Sequence, residues 1–199
     1  MERSTLLVII SVAVIGIATI VALIVLNQEE RITEGGIQKE QESHRIILST
    51  TKGAIMFQTF DKEAPNTAAN FIKLAREGFY DGLTFHRVID GFMIQGGDPN
   101  GDGTGGPGYT FADEINASSP LYQKGYKKGI VAMANRGPNT NGSQFFIMLQ
   151  DTLLPPQYTI FGSITEGQEV VDAIGNVATD ENDKPLEPVT IQGIEIAPM

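Results

Sequence analysis

A chain of 199 residues suffices for one ordinary domain and an appendage. With 24 acidic against 14 basic side chains, a formal net charge of −10 excludes nucleic acid as the main partner. Cysteine is absent, which removes thiol nucleophiles, disulfides and thiolate metal sites. His44 and His86 are the only histidines, which nearly excludes a catalytic triad or a multi-histidine metal centre.

The first element is Leu6–Leu26, LLVIISVAVIGIATIVALIVL, 21 residues without a charge. As a helix rising ~1.5 Å per residue it spans roughly 30 Å, the thickness of the hydrocarbon layer. It is apolar on every face, unlike a helix that packs one stripe on a core. A cleaved signal peptide competes with this reading, but its apolar region would run ~7–15 residues and end in a small-x-small site, which VLNQEE does not offer. The segment is expected to anchor the chain in a lipid bilayer as a single transmembrane helix. By the positive-inside rule, Arg3 and the amino terminus before it, against Glu29, Glu30 and Arg31 after it, favour a cytoplasmic N-terminus and an extracytoplasmic C-terminal domain, a balance that Lys39 and Arg45 on the far side dilute. Residues 27–44, polar and carrying Gly35-Gly36, read as a tether between this anchor (1–26) and a globular domain (45–199).

Beyond Arg45 the texture becomes that of short strands. Ile46–Ser49 and Ile55–Phe60 flank TTKG and predict a hairpin. EAPNTAANFIKLAREG predicts a helix that starts at Pro65, repeats its apolar positions at Ala68, Phe71, Ile72 and Ala75, and stops at Gly78. Five apolar runs follow between glycines: Phe85–Ile89, Phe92–Gln95, Ile130–Asn135, Gln144–Leu149 and Thr159–Ile164. GQEVVDAIG reads as a second short helix and PVTIQGIEI as a closing strand. Many short strands with 22 glycines and two helices predict an antiparallel barrel or sandwich, mainly β.

Three patterns imitate motifs. DPNGDG, from Asp98, opens like a calcium loop, but the twelfth position is Tyr109 instead of an acid. GDGTGG, from Gly101, fits GxGxxG, yet Asp102 would repel a phosphate and Pro107 stands where a helix should begin. Asn116 and Asn141 sit in glycosylation tripeptides, which arise often by chance.

Two stretches carry the chemistry. FHRVIDGFMIQGGD (85–98) places Arg87 among apolar residues with no acid within two positions, and MANRGPNTNGSQFF (133–146) is a turn-rich loop returning to a strand. Together with YTIFGSI (158–164) and the order of elements, they resemble the cyclophilin family of peptidyl-prolyl cis–trans isomerases over residues 45–199. The resemblance implies a closed eight-stranded antiparallel barrel capped by two helices, preceded here by one transmembrane helix. It implies Xaa-Pro segments of proteins as substrate, a monomeric catalytic domain, no cofactor and no metal. By position, Arg87 matches the family's catalytic arginine. Phe92, Met93, Phe146 and Leu154 match the walls of the proline pocket. Gln95 and Gln144 match its polar contacts, Ala134 and Asn135 the backbone contact to the peptide, and Tyr158 a rim position. Leu153 stands where the family often has tryptophan, Pro155-Pro156 replaces the usual Asp-Gly turn, and Arg136 replaces a small residue. These departures bear on the outer wall of the groove and on cyclosporin, which is expected to bind weakly.

Without the second motif, a structural ion pair of Arg87 with Asp90, Asp98 or Glu114 is the better reading of the residues. His86 reads as a packing or hydrogen-bonding histidine. A module that holds proline peptides without turning them over is the alternative from another functional class; an intact Arg87 argues against it.

Overall fold

The computed structural model describes residues 43–197, and the predicted anchor and most of the tether lie outside them. Eight strands occur in chain order: β1 (Arg45–Thr50), β2 (Gly53–Thr59), β3 (Arg87–Ile89), β4 (Met93–Gly96), β5 (Ile130–Met133), β6 (Phe145–Met148), β7 (Ile160–Glu166) and β8 (Ile191–Ala197). Among the described residues three helices are interspersed, α1 (Pro65–Arg76), α2 (Pro120–Gln123) and α3 (Gln168–Gly175). Every strand and both helices predicted within residues 45–199 are present, and the four-residue α2 is an addition. Its start was legible in Ser119-Pro120: the Ser119 side chain accepts from the Tyr122 amide, and Pro120 occupies the first turn.

The strands form one antiparallel sheet in the order β3-β4-β6-β5-β7-β2-β1-β8, curled into a half-barrel. Closure differs from the expected continuous ladder: β3 and β8 are the ends of the sheet, and among the described residues only an isolated antiparallel bridge, Thr84 with Thr190, pairs the chain across the seam. The backbone ahead of each strand stitches the seam instead. Gly82 N–H donates to Ile191 O at 2.8 Å, Ile191 N–H to Leu83 O at 2.7 Å and Phe85 N–H to Val189 O at 3.0 Å. Among the described residues no helix is long and apolar enough to cross a membrane.

Alternation along the strands separates two apolar clusters. Val88, Ile94, Ile147, Val131, Met133, Phe145 and Phe161 face inward, where the hairpin β1–β2 adds Ile46, Leu48, Ile55 and Phe57. Helix α1 covers this interior with Phe71, whose ring centroid lies 4.9 Å from Tyr80, 5.3 Å from Phe161 and 5.5 Å from both Phe57 and Phe145. Met93, Ile130, Ala132, Phe146, Met148 and Ile160 form a second cluster on the opposite face. That explains why β5 and β6 are buried at every position: both of their faces are covered.

Candidate active site

Strand register assembles the outer face. Residues directly opposite in an antiparallel pair point to the same side. Arg87 pairs with Gln95, Gln95 with Phe146, Phe146 with Ala132 and Ala132 with Ile160, so one row crosses β3, β4, β6, β5 and β7. A neighbouring row carries Ile89, Met93 and Met148. Six of the predicted substrate-binding side chains, Phe92, Met93, Ala134, Phe146, Leu154 and Tyr158, belong to this one cluster. Met93 and Phe146 are buried in its floor, while Phe92, Leu154 and Tyr158 stand half-buried around it. Tyr158 meets Phe146 edge to face at 5.4 Å.

The polar members form a chain beside that floor. Gln95 Nε2 donates to Gln144 Oε1 at 2.9 Å, and Gln144 Nε2 donates to the carbonyls of Gly103 at 3.0 Å and Gly105 at 2.9 Å. Both amides are thus held by the glycine loop, which is organised in turn by Asp98. This buried carboxylate accepts the amides of Asn100 at 2.9 Å, Asp102 at 3.1 Å and Gly103 at 2.5 Å. Gly105 is required there, since a Cβ would lie 2.0 Å from Asp98 Oδ1. The stretch resembling a calcium loop is therefore a hydrogen-bonded turn around one acid.

Asn135 ties two walls together: its Nδ2 donates to Gln157 O at 2.8 Å, and its Oδ1 accepts from Gly137 N–H at 3.2 Å. The Ala134 amide donates to Gln144 O at 3.0 Å. Arg136 reaches across to the carbonyls of Thr104 and Gly105 and lines a cavity of about 470 Å3 that also borders Gln95, Ala134, Asn135 and Gln144. Leu153 is 96 % exposed, so it contributes nothing to the apolar floor.

Arg87 is half exposed beside the row, and its Nε donates to Asp183 Oδ2 at 3.3 Å. The three acids proposed from the sequence are corrected by this geometry. Asp98 serves the glycine loop, Glu114 binds the first turn of α1, and Asp90 makes no ion pair with Arg87. An exposed pair of this kind contributes only ~0–1 kcal/mol. Stability alone is a weak reason to place an arginine here.

Sequence reasoning missed three supports. Asp183 lies 96 residues from Arg87, on the loop between α3 and β8, and nothing local signals the pairing. Tyr126 clamps Tyr158, donating from its hydroxyl to Tyr158 O at 2.8 Å while accepting from Tyr158 N–H at 3.1 Å. The Tyr122 hydroxyl accepts from Ile160 N–H at 2.9 Å. Burial pushes Tyr122 up to about 12 and Tyr126 upward as well, so both stay neutral donors. Their signal was the pair of tyrosines in SPLYQKGY, readable as packing but not as a clamp.

Residues 45–196 match the family model described as cyclophilin type peptidyl-prolyl cis-trans isomerase/CLD. The chain belongs to the cyclophilin family. It is 49 % identical over 168 residues to the probable peptidyl-prolyl cis-trans isomerase A of Mycobacterium leprae, covering 75 % of this chain and 90 % of that protein. It is 49 % identical over 150 residues to the peptidyl-prolyl cis-trans isomerase ppi1 of Schizosaccharomyces pombe, covering 73 % and 94 % respectively. A crystal structure of a cyclophilin type peptidyl-prolyl cis-trans isomerase from Cryptosporidium parvum superimposes with a TM-score of 0.73 at 37 % identity, over 79 % of this chain and 99 % of that one. The same Cryptosporidium protein determined in the presence of the dipeptide ala-pro gives 0.71 at 37 % identity, over 78 % and 99 %. This cyclophilin is thus a peptidyl-prolyl cis–trans isomerase.

Proposed function

We propose that the outer-face row is where the isomerase turns over Xaa-Pro bonds, with Arg87 as its catalytic group. The observation that carries this is the register that sets Arg87, Gln95 and Phe146 side by side above an apolar floor. The proline ring sits on Phe92, Met93, Phe146 and Leu154, with Tyr158 at the rim and Leu153 beyond it. Gln95 and Gln144 address the peptide's polar groups, and the backbone at Ala134 and Asn135 runs alongside it.

Rotation about an amide costs ~18–20 kcal/mol because resonance is lost, and uncatalysed Xaa-Pro exchange takes tens to hundreds of seconds. In the planar amide the prolyl nitrogen lone pair is delocalised and accepts nothing. In the twisted transition state it is localised and basic. A guanidinium aimed at it gains a hydrogen bond only there, which is the condition for raising turnover. Moving from about one event per hundred seconds to hundreds per second takes roughly 5–6 kcal/mol. A charge-assisted bond supplies ~1.5–3 kcal/mol. The remainder falls to the apolar floor, which fixes the ring and disfavours the more polar planar amide. No proton is transferred and no covalent bond to the substrate forms.

Arg87→Ala should therefore lower kcat/KM at least tenfold in a prolyl-isomerisation assay without lowering the unfolding temperature by more than an exposed ion pair accounts for. Arg87→Lys should rescue poorly, because an ammonium lacks the planar fork. Wild-type turnover by the alanine variant would overturn this assignment.

The apolar run Leu6–Leu26 supports a second part of the proposal. The domain is tethered to a bilayer, faces outward, and acts as a monomer on exported chains as they fold. The protein should sediment with membranes and resist carbonate extraction. Protection of the domain from protease in intact cells would overturn the orientation.

A further inference from the structure

We propose that Asp183 is a positioning residue for Arg87, an inference that rests on Arg87 being the catalytic group. The two side chains meet through Arg87 Nε, the nitrogen on the stem, at 3.3 Å from Asp183 Oδ2. Neither terminal guanidinium nitrogen makes a hydrogen bond among the described residues. A carboxylate on Nε restricts the long side chain while leaving both Nη groups to address a substrate over the row of Gln95 and Phe146. A partner on the Nη groups would instead occupy the donors that the reaction needs.

The carboxylate is itself fixed. Asp183 adopts φ +63°, the left-handed conformation that glycine or asparagine would fill with less strain. Its turn is closed on itself. The Asp183 amide donates to Asp180 O at 3.1 Å, Asp180 N–H donates to Lys184 O at 2.8 Å, and Asp180 Oδ1 accepts from Asn182 N–H at 2.8 Å and Lys184 N–H at 3.0 Å. The turn is also bonded to the strand it serves, since Val88 N–H donates to Asp183 O at 2.8 Å. Arg87 and Asp183 therefore hang from two backbones joined one residue away from the arginine. A carboxylate on a turn closed by its own hydrogen bonds, and bonded beside the strand of Arg87, fits orientation better than fold stability.

The test is kinetic and uses the full chain in detergent, with a chromogenic tetrapeptide containing Ala-Pro as substrate. Asp183→Gly removes the carboxylate and relieves the left-handed strain, so the protein should melt at the wild-type temperature or higher. Its kcat should fall roughly three- to tenfold with KM within twofold, because only the orientation of a transition-state donor is lost. Asp183→Asn, which keeps an acceptor oxygen, should lie within about threefold of wild type. Rising salt should lower wild-type kcat towards that of Asp183→Gly and leave the variant flat, as screening of an exposed pair demands. In an Arg87→Ala background Asp183→Gly should have no further effect. If Asp183→Gly turns over like wild type, or faster, while Arg87→Ala is impaired, the positioning role is wrong and the catalytic assignment stands. An equal loss in both backgrounds also overturns positioning. Wild-type turnover by Arg87→Ala removes the premise itself.

Discussion

Glu114 offers the sharpest test of the structural reasoning. Helix α1 begins after Ala64, which provides no capping side chain, and its first turn holds no acid. The cap comes from a distant loop. Glu114 Oε1 accepts from Asn66 N–H at 3.0 Å and Asn66 Nδ2 at 2.8 Å, and Oε2 accepts from Thr67 N–H at 2.7 Å and Thr67 Oγ1 at 2.8 Å. Glu114→Ala strands two backbone donors of the helix. Charge-assisted bonds are worth ~1.5–3 kcal/mol each, and the half-buried setting argues for the lower end. Interaction of the negative charge with the helix terminus adds ~0.3–1 kcal/mol. For the two backbone donors the total is about 3.5 kcal/mol. At ~2–4 °C per kcal/mol for a domain of this size, the unfolding temperature should drop by roughly 7–14 °C in a circular-dichroism melt. Glu114→Gln should lose a large part of that, because its amide nitrogen faces donors. Isomerase activity measured well below the transition should stay within about threefold of wild type, since no proposed substrate contact is removed. A shift under about 2 °C would show that water caps the helix equally well, and would refute the calculation.

Three further outcomes follow from the packing. His86 is buried with both ring nitrogens unpartnered among the described residues, and burial lowers it from the usual 6.5; Asp98 and Asp102 oppose that shift while Arg87 and Lys184 reinforce it. The unfolded chain then binds the proton more readily, so stability is full above about pH 6.5 and falls as pH drops towards the folded value; His86→Leu should flatten the part of a melting profile below about pH 6.5 and cost little at neutral pH. Phe71→Ala empties the space between four aromatic rings and should destabilise by ~3–5 kcal/mol in urea titration. Leu153→Trp adds a flat ring and a donor at a position that is 96 % exposed, and should tighten cyclosporin roughly ten- to a hundredfold by competition assay, with little change in turnover of a short peptide.

The sequence by itself determined the elements, because their signals are local. The β-branched and aromatic runs Ile46–Ser49 and Ile55–Phe60, Pro65 at a helix start and Gly78, at φ +70°, after its end each depend on residues within a turn of one another. It also put forward the candidate site residues, since the two long motifs that resemble the cyclophilin family stand contiguous in the chain and Arg87 has no local partner. Tertiary structure decided where the charges go. Glu114 was as good a candidate for Arg87 as any acid in the sequence, yet it lies on the first turn of α1, and Asp183 took the arginine from 96 residues away. Both assignments follow from loop paths, and no periodicity encodes a loop path. Closure was decided the same way. Eight strands were legible, but the seam between β3 and β8 is made by Gly82–Phe85 against Val189–Ile191, segments whose pairing depends on how far the whole sheet curls.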